Sequence, residues 1–101
     1  MKTAKEAMAH LEVILRIESD AIARYAEVAA RENSALAANY RALTDGAQQS
    51  LAERIKLTGL FALTRCAWTD WKDAEQRRTD AVLDWQLAVA SEAEDAEKNK
   101  D

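Results

Sequence analysis

Three charged residues, Glu18, Glu75 and Arg78, lie within otherwise apolar helical stripes. Glu75 and Arg78 are three residues apart, so on a helix they share one face and can form an ion pair. Removing such charges from water is costly unless they are paired. We therefore expect Glu18 from another helix to join Arg78 and Glu75 as a polar register pin, a set of charges that fixes how two helices align. The alternative is that this part of the stripe is solvated and the charges only flank the helix contact.

Residues that catalyse reactions or bind metals are sparse. The single histidine, His10, is paired at helical spacing with Glu6, and two ligands are too few for a closed zinc site. The single cysteine, Cys66, has neither a histidine nor a second cysteine near it in the sequence. A di-iron carboxylate bundle needs two Glu-x-x-His motifs, whereas the residue three before His10 is Ala7. The sequence therefore predicts no enzyme, no metal site and no cofactor.

Tryptophans recur on one face of the C-terminal half, at Trp68, Trp71 and Trp85. Core packing is one explanation, but a chain of this length offers few internal partners for three indole rings. Because tryptophan and arginine are favoured at binding hot spots, we expect this stripe to self-associate, with Trp71→Ala weakening association more than Trp68→Ala. The predicted interface residues are Trp68, Trp71, Arg78, Val82, Trp85 and Val89.

The composition of the chain is that of a helical protein. It has 101 residues, no proline, two glycines and 22 alanines, and 49% of its residues are hydrophobic. Such a mixture favours α-helices, while the scarcity of turn residues disfavours a β-sandwich or barrel. The apolar content also disfavours disorder. We therefore expect one all-α domain.

The spacing of apolar residues locates the helices and their breaks. Apolar residues recur every three or four positions over about 3–31, which predicts an amphipathic helix. Plausible breaks follow at Asn33-Ser34 and at Asp45-Gly46. Two architectures fit, namely a long antiparallel helical hairpin that turns near Asp45-Gly46 and a three-helix bundle that also turns near Asn33-Ser34. Capping boxes are predicted for Thr3 with Glu6 and for Ser50 with Glu53.

The C-terminal half carries three columns of residues at seven-residue intervals, which predicts a coiled-coil-like, self-associating contact. Residues 91–101 contain no large apolar side chain. We therefore expect 1–90 to form a single helical domain and 91–101 to be a charged extension that frays. The columns are Leu57, Thr64, Trp71, Arg78 and Trp85; Phe61, Trp68, Glu75, Val82 and Val89; and Leu60, Ala67, Ala74, Ala81 and Ala88.

Charge and hydropathy narrow the choice of partner and compartment. The net charge is −4, and no basic run is longer than Arg77-Arg78, so we expect no nucleic-acid binding and at most weak membrane binding. No apolar run approaches the length of a membrane span, and the N-terminus lacks a secretory pattern. A lone cysteine also forms no internal disulfide. These features predict a cytoplasmic protein.

Four short motifs of the C-terminal half match a known family. They are Lys56-Leu57-Thr58, Arg77-Arg78-Thr79, Val82-Leu83-Asp84-Trp85 with Ala88, and Lys98-Asn99-Lys100-Asp101. Through them, residues 56–101 resemble the second long helix of a sorting-nexin BAR domain. The resemblance implies an antiparallel helical dimer that attaches to curved endosomal membrane, with Arg78 and Trp85 at the dimer seam.

The residue patterns together predict a non-enzymatic helical module for protein–protein interaction and dimerisation. Its partner is expected to be a second copy or another helical protein, and the resemblance adds a role in membrane trafficking or curvature association. Two alternatives stay open. One is a degenerate ferritin-like metal-binding bundle, because residues 18–25 resemble a rubrerythrin-type helix. The other is a designed helical bundle without a biological role.

Overall fold

The computed structural model describes residues 2–100, which contain two α-helices and no strand. Helix α1 spans Ala4–Thr44 and helix α2 spans Leu51–Lys98. The chain is therefore an all-α helical hairpin, one of the two predicted architectures. Helix α1 runs through Asn33-Ser34 without interruption, so the three-helix alternative is not adopted. Neither residue is glycine or proline, and the alanines around them are strong helix formers.

The connection between the helices is closed by a glycine, as the sequence predicts. Gly46 has a φ of 88°, a left-handed conformation that residues with a Cβ rarely adopt. Its N–H donates to the carbonyl of Leu43 at 3.1 Å, and the N–H of Ala47 donates to the carbonyl of Ala42 at 2.9 Å. These two bonds form a Schellman motif, which satisfies carbonyls at the end of α1.

The predicted capping box of α2 is complete, and that of α1 is formed in part. The Ser50 hydroxyl accepts from the Glu53 N–H at 3.1 Å, and the Glu53 carboxylate accepts from the Ser50 N–H at 3.3 Å. The Thr3 hydroxyl accepts from the Glu6 N–H at 3.1 Å and donates to the Glu6 carboxylate at 3.2 Å. Side-chain oxygens thus take up backbone donors that have no partner within the helix.

The chain divides into two compact units, of which the first pairs residues 2–20 with residues 72–100. Its core is a cluster of Leu11, Ile14 and Ala81, against which Met8 and Val82 pack. The Ala4 N–H donates to the Glu92 carboxylate at 2.8 Å, so the start of α1 lies beside the end of α2 and the helices are antiparallel. Glu92 belongs to the segment predicted as a charged extension, which is helical as far as Lys98.

The second unit contains residues 21–71, including the turn. The rings of Tyr25 and Trp71 meet with centroids 5.4 Å apart and planes tilted by 40°. The Gln49 amide donates to the Asn39 amide oxygen at 3.2 Å, next to the turn. These contacts show that the two helix segments are antiparallel in this unit as well.

Candidate self-association surface

Alanines form the most deeply buried column of α2. Ala67, Ala74, Ala81 and Ala88 recur every seven residues and are between 1% and 3% exposed. They belong to one of the three predicted columns. On a helix the column of Trp71 lies about 40° to one side of it, and the column of Trp68 lies about 100° to the same side. A small side chain lets a neighbouring helix approach closely, because interaxial distance depends on the side chains at the contact. We call this column the alanine seam.

The interior beside the alanine seam is small. Among residues 2–100 the buried hydrophobic residues are five alanines and three larger residues, Leu11, Ile14 and Leu57. No large side chain in this part of the chain is fully buried. A close contact between alanines leaves little room for larger residues between the helices, so these remain at the flanks. Most of the large apolar surface is therefore outside the helix contact.

The six predicted interface residues occupy two kinds of position. Trp71, Arg78, Val82 and Trp85 are half-buried beside the alanine seam, and Val82 packs on the Leu11 cluster of its own chain. Trp68 and Val89 are exposed, by 46% and 42%. The structure therefore commits part of the predicted interface to contacts within the chain and leaves part of it facing outward.

Two of the three predicted register-pin residues form a direct ion pair. The Arg78 Nε donates to Glu18 Oε2 at 2.8 Å, and the Glu18 side chain is only 13% exposed. Glu75 instead pairs with Lys72, whose Nζ lies 3.3 Å from Glu75 Oε2 in a more exposed setting. The sequence thus identified the contact between the helices, while the expected direct pair of Glu75 with Arg78 is replaced by one with Lys72.

The charge on Arg78 is favoured by its neighbours. The hydrogen bond that Arg78 donates to Glu18 raises the pKa of the Arg78 guanidinium above its ordinary value, and the negative charge of Glu18 adds to the increase. Partial desolvation opposes this effect, and Glu75 supports it through charge attraction. A guanidinium is already charged at all ordinary pH values. Arg78 is therefore a permanent cation opposite Glu18.

The two flanks of the second unit differ in chemistry. On one flank Arg24 and Asp70 form an exposed ion pair at 4.0 Å. Tyr25 and Trp71 are half-buried and contact each other between the helices. At 100° per residue, the residue one before each of them and the residue three before each of them lie on opposite flanks. The flank of the residues three before, which we call the aromatic flank, carries several large apolar side chains, and Glu32 and Arg65 line a shallow groove on it. Those apolar side chains are Ile22, Leu36 and Leu43 of α1 and Phe61 and Trp68 of α2.

Some of these residues were missed by sequence reasoning. From the sequence, Ile22 and Leu36 lie in apolar helical stripes and Phe61 lies in the column of Trp68, but none of the three is among the predicted interface residues. The signal was present, because α1 carries its own column at seven-residue intervals through Leu15, Ile22, Ala29, Leu36 and Leu43. The alanine seam determines which column of each helix faces the other helix, and the sequence of one helix alone does not specify this.

Comparison with known proteins finds no matching family model and no significant match among curated proteins or solved structures. Within residues 2–100, neither helix contains a stretch that is apolar enough over the necessary length to span a lipid bilayer. In the same residues, no three or more histidine, cysteine, aspartate or glutamate side chains form a group that could hold a metal ion.

Proposed function

We propose that this protein is a non-enzymatic helical module that associates with a second copy of itself. The observation that carries the proposal is the distribution of its apolar residues. Among residues 2–100, fourteen large hydrophobic residues are at least 40% exposed, whereas three are buried. Scattered exposed apolar residues are ordinary on any protein, but an excess over the core on this scale is not.

The accessible surface supports the same proposal. The chain exposes 7699 Å². Compact monomers of this mass, 11.3 kDa, expose only about 5,700 Å². The difference of roughly 2,000 Å² exceeds the roughly 800 Å² that each partner contributes to a stable interface of ordinary size. The chain thus has enough uncovered surface for a full dimer contact.

The test is the oligomeric state of the full chain over a range of concentrations. We expect sedimentation equilibrium and light scattering to give the mass of a dimer or a larger assembly at micromolar concentration. Far-UV circular dichroism at the same concentrations checks that the helices are formed. A folded, helical monomer whose mass does not change with concentration would contradict the proposal.

The resemblance to sorting-nexin BAR helices adds a membrane setting to this proposal. Co-sedimentation with neutral vesicles and with vesicles containing an anionic phospholipid tests it. Because the net charge is −4, we expect weak, salt-sensitive or absent binding by this chain alone. Tight binding to the anionic vesicles would favour direct membrane attachment.

A further inference from the structure

We infer that the second copy of the chain docks against the aromatic flank of the second unit. The inference rests on the proposed self-association. It identifies the surface that forms the contact, which a measurement of the oligomeric state does not. In a symmetric dimer the same patch of both copies meets. The aromatic flank of one copy would therefore cover the aromatic flank of the other.

The first reason is the apolar character of this flank. Ile22, Leu43, Phe61 and Trp68 are each exposed by 40% or more. The opposite flank of the same unit carries the solvated Arg24–Asp70 ion pair together with one exposed large apolar residue, Leu63. Apolar area that is removed from water stabilises an association roughly in proportion to its size. The gain is therefore larger when the aromatic flank is the one that becomes covered.

The second reason is that the flank is complementary to itself in charge. A shallow groove there is lined by one acid, Glu32, and one base, Arg65, together with Tyr25, Phe61, Thr64 and Trp68. Across a two-fold axis, Glu32 of one copy can face Arg65 of the other. When this flank of one copy meets the same flank of another, opposite charges can therefore face each other. A partner whose surface is entirely acidic or entirely basic would instead repel one of the two residues, so the charges favour a second copy.

The arrangement also changes which tryptophan should matter most. Trp71 is half-buried and its ring lies against Tyr25 of the same chain, so part of its apolar surface is already covered. Trp68 is 46% exposed on the aromatic flank. We therefore expect Trp68→Ala to weaken association more than Trp71→Ala, which reverses the order expected from the sequence.

The test compares two charge insertions on the same helix. Trp68→Glu places a carboxylate on the aromatic flank. Leu63→Glu places a carboxylate on the other flank, seven residues before Asp70. Leu63 is 49% exposed, nearly as much as Trp68. For each variant the dimer dissociation constant is measured by sedimentation, and helicity is measured by circular dichroism.

If the aromatic flank is the interface, Trp68→Glu weakens the dimer by roughly 30-fold or more, as expected of a hot-spot residue. Leu63→Glu then changes the constant by less than about threefold, as expected of a residue outside the interface. A larger effect of Leu63→Glu, equal effects, or no effect of either variant would overturn the inference. Self-association of the unmodified chain would still stand in those cases, whereas a monomeric unmodified chain would overturn both proposals.

A second measurement uses the two charges and does not depend on Trp68. Arg65→Glu leaves two acids in the groove, and Glu32→Arg leaves two bases. We expect each variant chain alone to associate more weakly than the unmodified chain, and an equimolar mixture to recover the dimer by pairing opposite charges. Recovery in the mixture supports the inference. A mixture no tighter than the separate variants, both of them helical, would overturn it.

Discussion

Enlarging one alanine of the seam tests whether close approach of the helices stabilises the fold. Ala81 is 2% exposed and belongs to the cluster with Leu11 and Ile14. In Ala81→Leu the three added carbons cannot extend into solvent, so they must displace these neighbours or separate the helices. Leucine and alanine differ little in helix propensity, so the intrinsic change to α2 is small. The variant therefore reports on packing.

Overpacking of a filled interior costs about 1–3 kcal/mol. In a chain of this size, a loss of 1 kcal/mol lowers the melting temperature by about 4–8 °C. We therefore expect Ala81→Leu to melt roughly 5–20 °C below the unmodified chain, given these two ranges. Urea unfolding and thermal melting, both followed by far-UV circular dichroism, measure the change. Protein concentration is kept equal, because association adds to apparent stability.

The matched control is Ala90→Leu, at an exposed alanine of the same helix and unit. A surface substitution there is expected to change the free energy of unfolding by less than about 0.5 kcal/mol. If Ala81→Leu were as stable as the control, or more stable than the unmodified chain, the helices could move apart without loss. That result would refute the claim that the alanine seam requires close contact.

Other predictions concern the two glycines, the cap of α2 and the ion pair of Glu18. Gly59→Ala is expected to raise the free energy of unfolding by about 0.5–1 kcal/mol, because a Cβ there meets no atom within 4 Å. Gly46→Ala is expected to lower it by about 1–2 kcal/mol, because its φ is 88°; urea unfolding should show these opposite signs. Ser50→Ala removes the cap of α2 and should cost about 1 kcal/mol in the same assay. Glu18→Gln should lower the melting temperature more than Glu75→Gln, because Glu18 is the less exposed partner of its ion pair; the reverse order would contradict the assigned pairing.

The helical class, the turn and the caps could be predicted because each depends on neighbouring residues. Glycine at the position after a helix, or serine three residues before glutamate, has the same local effect in any fold. Of the two predicted architectures, the one with a break at Asn33-Ser34 is not adopted for a related reason. Serine is a good cap only where the helix has another cause to end, and none is present there.

The flank positions could be predicted only in part, because they depend on which column faces the partner helix. Three columns at one interval are equivalent in sequence, and the tryptophans, which lie in two of them, favoured those two as the contact. In the structure the smallest side chains form the contact, since close approach of two helices excludes large ones. Glu18 could be proposed as a partner of Arg78 because a charge within an apolar stripe is costly unless it is paired, while a solvated stripe was the alternative.

The alanine seam leaves the alignment of the two helices poorly specified by shape. Because Ala67, Ala74, Ala81 and Ala88 are identical, α2 presents the same seam side chains again when it slides by seven residues, about 10.5 Å. Two features oppose such sliding, namely the short connection at residues 45–50 and the Glu18–Arg78 pair, which a displaced helix would break. In a variant with a longer connection and without Glu18, the two helices should therefore be able to shift between alternative alignments.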